Sequence, residues 1–240
     1  MVFKPRNYRQ WVKNDDLVYF EASEKETDLG ISADKNLERQ AREAILNYRS
    51  DIERYIKRDP VFFSSLEPVE VMEDAPEIVR VMAEASEKAV VGPMASVAGA
   101  MAEFVGRELL AFSGQVIVEN GGDIFLCTSK PRTLGIFAGE ESPFTGKLAI
   151  EIPPSEEGLG LCTSSGTVSH SLSFGRSDAV LVMAQSAALA DAMATSVGNI
   201  LKTPEYIQMA LDRAKSVDGV LGVVAIIGDK FGTWGNVKLI

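Results

Sequence analysis

The stretch Gln115-Val116-Ile117-Val118-Glu119-Asn120-Gly121-Gly122-Asp123-Ile124-Phe125-Leu126-Cys127-Thr128 decides the fold. Its two ends, Gln115–Glu119 and Asp123–Thr128, are rich in β-branched and large apolar residues, which fit a pleated surface. Between them Asn120-Gly121-Gly122 is a tight-turn signal, because these residues accept positive φ at low cost. The segment reads as two strands joined by a short turn.

Outward from this hairpin, helices precede it and strands follow it. Pro93–Leu110 reads as a helix crowded with Ala95, Ser96, Ala98, Gly99, Ala100 and Ala102, small residues that let another backbone come close. Before it, Pro76 opens a helix with the stripe Ile78, Val79, Met82, Ala85 and Ala89. A longer helix starts after Asp34, taken as its N-cap, with Leu37, Ala41, Ala44, Ile45, Tyr48, Ile52, Tyr55 and Ile56 on one face and Pro60 just beyond its end. Asp16–Ser23 and Thr27–Ala33 read as a strand pair around Glu24-Lys25-Glu26. Phe62–Asp74 reads as a loop.

The second half has a similar order. Strands are expected at Thr133–Ala138, Lys147–Ile152 and Ala179–Ala184. Helices follow at Ala187–Leu201 and after Thr203-Pro204, and Val220–Ile227 with Gly235–Ile240 closes the chain as a hairpin. Blocks of strands and helices, without strict alternation, predict an α+β fold with a largely antiparallel sheet and packed helices. We expect a single domain over 1–240, built as two ββααββ-like halves at about 1–130 and 131–240.

Composition narrows the function. Across 240 residues, 46% hydrophobic and 24% charged, 24 Lys and Arg face 34 Asp and Glu, for a net charge of −10. That balance disfavours nucleic acid and anionic lipid as partners. The longest apolar stretch, Val180–Met193, is interrupted by Gln185, Ser186 and Asp191, so no membrane span and no secretory signal is read. Cys127, Cys162 and His170 are the only Cys and His residues, too few for a structural zinc site. Two cysteines without a signal fit a reducing cytoplasm. Open sheet edges suggest a homodimer.

Four segments carry candidate chemistry, each with a plain structural reading beside it. Gly92–Glu103 is a tightly packed helix or a ligand-facing one. Val118–Asp123 is a hairpin turn, or a turn whose glycines bare backbone N–H groups to a ligand while Asp123 accepts from a ribose or ring N–H. Gly158–Ser171 holds Thr163, Ser164, Ser165, Gly166, Thr167 and His170; it is a solvated loop or a neutral-donor phosphate cradle. It is not a Walker loop, since no Gly-Lys-Ser/Thr is present. In Ala187–Asn199, Asp191 and Thr195 share a helix face among alanines. A carboxylate there caps neighbouring N–H groups or helps to hold a hard cation such as Mg²⁺.

Together these segments resemble the ApbE-like superfamily, whose characterised members are FAD-dependent protein FMN transferases with a duplicated T-fold core. The similarity is strongest to a prokaryotic branch of it, through Glu26–Leu29, Val91–Glu103, Val118–Ile124, Cys162–Gly175 and Ala190–Thr195, and spans nearly the whole chain. The resemblance implies FAD or FMN as ligand, held by Gly99, Gly121, Gly122, Asp123, Thr163, Ser164, Ser165, Gly166 and Thr167. It implies Mg²⁺ on Asp191 and Thr195, with His170 as catalytic base. It departs from the transferases at Ala98, where they carry a lysine, and at His170–Gly175, which lacks their Asp-Pro-x-Thr-Gly stretch. Two functions follow from it: Mg²⁺-dependent flavin or nucleotidyl transfer to an acceptor protein of unknown identity, or a non-catalytic small-ligand-binding module on the same scaffold.

Overall fold

In the computed structural model the described residues are 15–139, 142–164 and 177–240. The chain runs β1 (Val18–Glu24), β2 (Thr27–Ala33), α1 (Glu38–Arg58), α2 (Val61–Ser64), α3 (Glu77–Ala89), α4 (Val97–Leu109), β3 (Val116–Asn120), β4 (Asp123–Thr128), β5 (Arg132–Gly135), β6 (Ala149–Ile152) and β7 (Ser155–Ser164). It continues with β8 (Ala179–Ala184), α5 (Ala187–Ile200), α6 (Ile207–Lys215), β9 (Val220–Ile227), β10 (Lys230–Gly235) and β11 (Lys238–Leu239). Eight strands form one sheet in the order β1-β2-β3-β4-β7-β8-β9-β10, every neighbouring pair antiparallel. The expected α+β class with a largely antiparallel sheet is the one observed.

The sheet is covered on both faces, which is why its central strands are apolar throughout instead of alternating with polar residues. Side chains alternate between the faces. Val116, Val118, Phe125, Cys127, Cys162, Val180, Val182, Val223 and Ala225 join the helices in one core. Ile117, Ile124, Leu126, Leu159, Leu161, Leu181, Met183, Val224 and Ile226 pack on the other side with Leu134, Ile150 and Ile152 of a second sheet, ordered β11-β6-β5. Among the helices α5 is the most enclosed. From Ala187 to Val197 only Asp191 and Thr195 are more than marginally exposed.

Several expected boundaries move for physical reasons. Asp34 does not cap α1. The side-chain oxygen of Asn36 accepts the Glu38 N–H at 2.9 Å, and the Asp34 carboxylate accepts from Gly114 N at 2.7 Å, Ser113 Oγ at 3.1 Å and Gln115 N at 3.3 Å. Burial works to raise its pKa, but these donors hold it below the ordinary aspartate value. The helix expected over Pro93–Leu110 begins as a 3₁₀ turn at Pro93–Ser96 and becomes α-helical at Val97. Gly158–Ser164, read as loop, belongs to the ten-residue β7. The closing hairpin is also different: β9 pairs with Lys230–Gly235, while Lys238–Leu239 crosses to β6. Alternation in Lys230–Gly235 is hidden by two glycines, so apolar periodicity did not mark that strand. Among the described residues no single helix is long and apolar enough to cross a membrane.

Candidate functional site

The turn after β3, the end of β7 and the first two turns of α4 and α5 meet at one end of the large sheet. The hairpin register sets this up. Asp123 pairs opposite Cys162 across β4 and β7, and Thr163 N donates to Gly122 O at 3.3 Å. Asp123 is two residues before Phe125 and so points to the helix side of the sheet, as does Cys162. Gly121 and Gly122 both adopt positive φ, as the turn reading requires. The turn is tied inward by Glu119 Oε1, which accepts Gly122 N at 2.8 Å, and by Asn120 Nδ2, which donates to Ala98 O at 3.0 Å.

Helix α5 reaches this turn because two glycines make room for it. A Cβ on Gly99 would lie 2.1 Å from Ala187 O, and a Cβ on Gly160 would lie 2.3 Å from Ala187 Cα. Ala187 is thereby clasped between α4 and β7. One turn further along α5, Asp191 Oδ2 accepts the Gly99 N–H at 2.9 Å. The N–H-capping reading of Asp191 is therefore observed. Gly99 serves here as the close-contact point and as a donor to that carboxylate.

The resulting electrostatics are unusual. Asp123 is close enough to Asp191 for its charge to act on that carboxylate. Burial, with the charge of Glu119, pushes Asp123 up to about 7 against the pull of the Cys162 thiol. Burial, then the Asp123 charge, pushes Asp191 well above the aspartate range, although the Gly99 and Ala98 N–H groups work to lower it. Burial and both carboxylates raise the Cys162 thiol, whose sulfur also lies 3.4 Å from Ala187 O. No basic side chain among the described residues lowers either aspartate. Among the described residues no cation of the protein faces the two acids, and each holds its proton to higher pH than an ordinary aspartate.

The remaining expected residues divide cleanly. Thr195 is half-buried, four residues after Asp191 on the same face of α5, and Asn199 continues that half-buried polar stripe. Thr163 and Ser164 end β7 beside the Gly122 turn. Ser165, Gly166, Thr167 and His170 lie outside the described residues. Sequence reading missed Cys162 and Glu119 as parts of the site. The signal available for Cys162 was its strand position opposite Asp123, which emerges only once β7 is recognised as a strand. Among the described residues no group of three or more His, Cys, Asp and Glu is arranged to hold a metal ion. A cation here would rely on the two carboxylates with hydroxyl and carbonyl oxygens, a donor chemistry that suits a hard divalent ion.

Comparison with known proteins places this geometry in context. The family model described as AbpE bacteria matches residues 9–229. A UPF0280 protein of Methanocella arvoryzae is 44% identical over 218 residues, covering 90% of this chain and 88% of the relative. A UPF0280 protein of Methanocaldococcus jannaschii is 44% identical over 219 residues, covering 89% and 88%. Among solved structures, the flavinyl transferase ApbE of Pseudomonas stutzeri in its apo form matches with a TM-score of 0.59 at 13% identity, covering 91% of this chain and 93% of that one. The ApbE protein of Thermotoga maritima matches with a TM-score of 0.54 at 14% identity, covering 87% and 94%. At these identities the structural likeness establishes a shared fold.

Proposed function

The chain belongs to the AbpE bacteria family, and from that premise we propose that it binds a flavin nucleotide, or another phosphorylated small molecule, together with a divalent cation at the Asp123–Asp191 corner. The observation that carries this reading is the acid pair, which no basic side chain among the described residues neutralises. A phosphate cannot approach two carboxylates unless the pair stays protonated or a cation lies between them. Protonation of a buried pair is reversible, and a hard cation takes its place where oxygen ligands converge. Mg²⁺ fits this donor set: Asp191 and Thr195 from α5 and Asp123 from the turn would hold it, and when bound it would neutralise charge on a pyrophosphate.

The chain's own residues then divide the work. Gly121 is exposed and Gly122 half-exposed, so ligand atoms can approach this backbone where a side chain would obstruct them. Glu119 and Asn120 fix the turn from below. Thr163 and Ser164 supply neutral donors at the neighbouring strand end. The flavin assignment is supported by the fold shared with a protein named flavinyl transferase, and fold alone does not carry chemistry. Ala98 offers no cation to a pyrophosphate. This favours binding as the core activity, with group transfer requiring in addition the base assigned to His170. The duplicated T-fold organisation is part of the same proposal. It is supported by the order strand pair, helices, strand pair, found once in β1 to β4 and again in β7 to β10.

The test is direct. Purified protein is scanned for flavin absorbance, then melted with FAD, with FMN and with each plus Mg²⁺. Stabilisation by a flavin nucleotide that requires Mg²⁺ supports the reading. No stabilisation by either nucleotide, with or without Mg²⁺, removes it. Release of AMP from FAD in the presence of Mg²⁺ would add transfer to binding.

A further inference from the structure

Helices α4 and α5 run antiparallel through two contacts spaced one turn apart on each helix. Gly99 N meets Asp191 Oδ2 at 2.9 Å, and Glu103 Oε2 accepts from Ala187 N at 2.7 Å. The second contact is the richer one. Glu103 is only 5% exposed. The same Oε2 also accepts from Ser186 Oγ at 2.8 Å and lies 3.5 Å from Ala188 N. Its other oxygen is held by Arg107, with Nε at 3.0 Å and a second guanidinium nitrogen at 2.9 Å. Arg107 in turn lies over the Phe125 ring at 5.3 Å, on the strand that begins at Asp123.

These contacts do different things from an ordinary helix cap. Ser186 already caps α5, accepting Leu189 N at 3.4 Å. Glu103 adds a charge from another helix to the amide-rich N-terminus of α5, where an anion is favoured. Its bonds to charged or amide donors are stronger and shorter than neutral ones and fix direction as well as distance. Because α5 is rigid, fixing its first turn against α4 also fixes Asp191 one turn later. Arg107 anchors the arrangement to the β4 side of the site.

We propose that Glu103 is a positioning residue for the acid pair: through Ala187 and Ser186 it sets the register of α5 on α4, and so the place of Asp191 beside Asp123. The inference rests on the reading of Asp123 and Asp191 as the ligand-binding acids, and the Gly99 amide tests it without any metal. That N–H is bonded to Asp191 and reports directly whether the carboxylate has moved.

The experiment compares the parent chain, Glu103→Gln and a control, Ile45→Val, which thins the fully buried core of α1 away from the site. Amide shifts and hydrogen exchange are read by NMR at Gly99, Ala187 and strands β8 and β9, and Mn²⁺ affinity by proton relaxation. In Glu103→Gln the Gly99 amide should shift and exchange about tenfold faster, while the strands stay protected, as expected of local rather than global opening. Mn²⁺ should bind about tenfold more weakly, as for loss of a group that orients a metal ligand. Ile45→Val should leave the Gly99 shift and the Mn²⁺ affinity unchanged. A folded Glu103→Gln protein whose Gly99 amide keeps the parent shift and exchange rate overturns the proposal. If Glu103→Gln does not fold, Arg107→Gln decides by the same Gly99 reading: a change supports the proposal and no change overturns it. If the parent itself fails to bind Mn²⁺, the cation reading of the site falls, while the Gly99 amide still decides the role of Glu103.

Discussion

Gly99 donates its backbone N–H to the Asp191 carboxylate at 2.9 Å, with no side chain of its own between α4 and α5. The bare Cα is a structural requirement. A methyl group there would sit 2.1 Å from the Ala187 carbonyl oxygen and 2.9 Å from Asp191 Cβ. The first of these is backbone and cannot swing away. Gly99→Ala should therefore push the helices apart and cost about 3 kcal/mol, the upper end for overpacking a dense core. Urea denaturation measures it. A loss below about 0.5 kcal/mol, the level of an ordinary surface change, would show that α5 is not seated as described.

Asp191→Asn separates charge from shape. An asparagine oxygen still accepts the Gly99 N–H, so the α4–α5 contact survives. The buried charge disfavoured by Asp123 is gone. Without ligand the variant should melt at or above the parent temperature near neutral pH, because desolvation and the Asp123 charge both disfavour an ionised Asp191. In the presence of Mg²⁺ and a flavin nucleotide the parent should gain stability and the variant should not. Calorimetry with and without Mg²⁺ checks both. A variant that keeps the full Mg²⁺ response would reject the metal role of Asp191.

Val90 is a separate and purely local case. It ends α3 with φ 56° and ψ 53°, in the left-handed region, and its side chain is 68% exposed. A β-branched residue is strained there and gains little burial in return. Glycine is the residue that this helix-ending position favours. Val90→Gly should stabilise the protein by about 1 kcal/mol, seen as a higher urea midpoint with unchanged slope. A lower midpoint would mean that Val90 packs against something its exposure does not reveal.

Much of this was legible in the residues, and the failures have identifiable causes. The Asn120–Asp123 turn was readable because its glycines are needed there for positive φ, and the strands beside it are uninterrupted. The α1 and α3 stripes were readable because one face of each is buried. β7 was not read as a strand, since Gly158 and Gly160 look like loop residues. Gly160 is there because Ala187 packs on the strand, a tertiary reason invisible along the chain. Asp191 stood out as an acid among alanines, and both readings weighed for it turned on long-range partners. Its closeness to Asp123 depended on the β4–β7 register, and hence on the strand that was missed. Glu103 gave no local signal at all. It is an acid at a buried helix position, with an ordinary i,i+4 partner in Arg107, whose partners on α5 begin 83 residues later.

The acid pair also gives the protein a characteristic pH dependence. Asp123 is raised to about 7 in the folded state, chiefly by burial, and Asp191 is raised in the same direction. Between the ordinary aspartate value of 3.8 and about 7, folded protein holds a proton that the unfolded chain has released. The folded state binds more protons across that window, so stability falls as pH rises through it. The lowered carboxylates Asp34 and Glu53 act oppositely and in another range, losing their contribution as pH drops through the acid region below their ordinary values. The two effects therefore separate. Melting temperatures from about pH 5 to about pH 8 should fall more steeply for the parent than for Asp123→Asn, which keeps only the Asp191 proton to lose. Mg²⁺ should restore the parent most at the upper end, where Asp123 has given up its proton and a cation can take that place. Parallel profiles for the parent and Asp123→Asn would show that Asp123 ionises normally, and the acid pair would no longer support a cation at this corner.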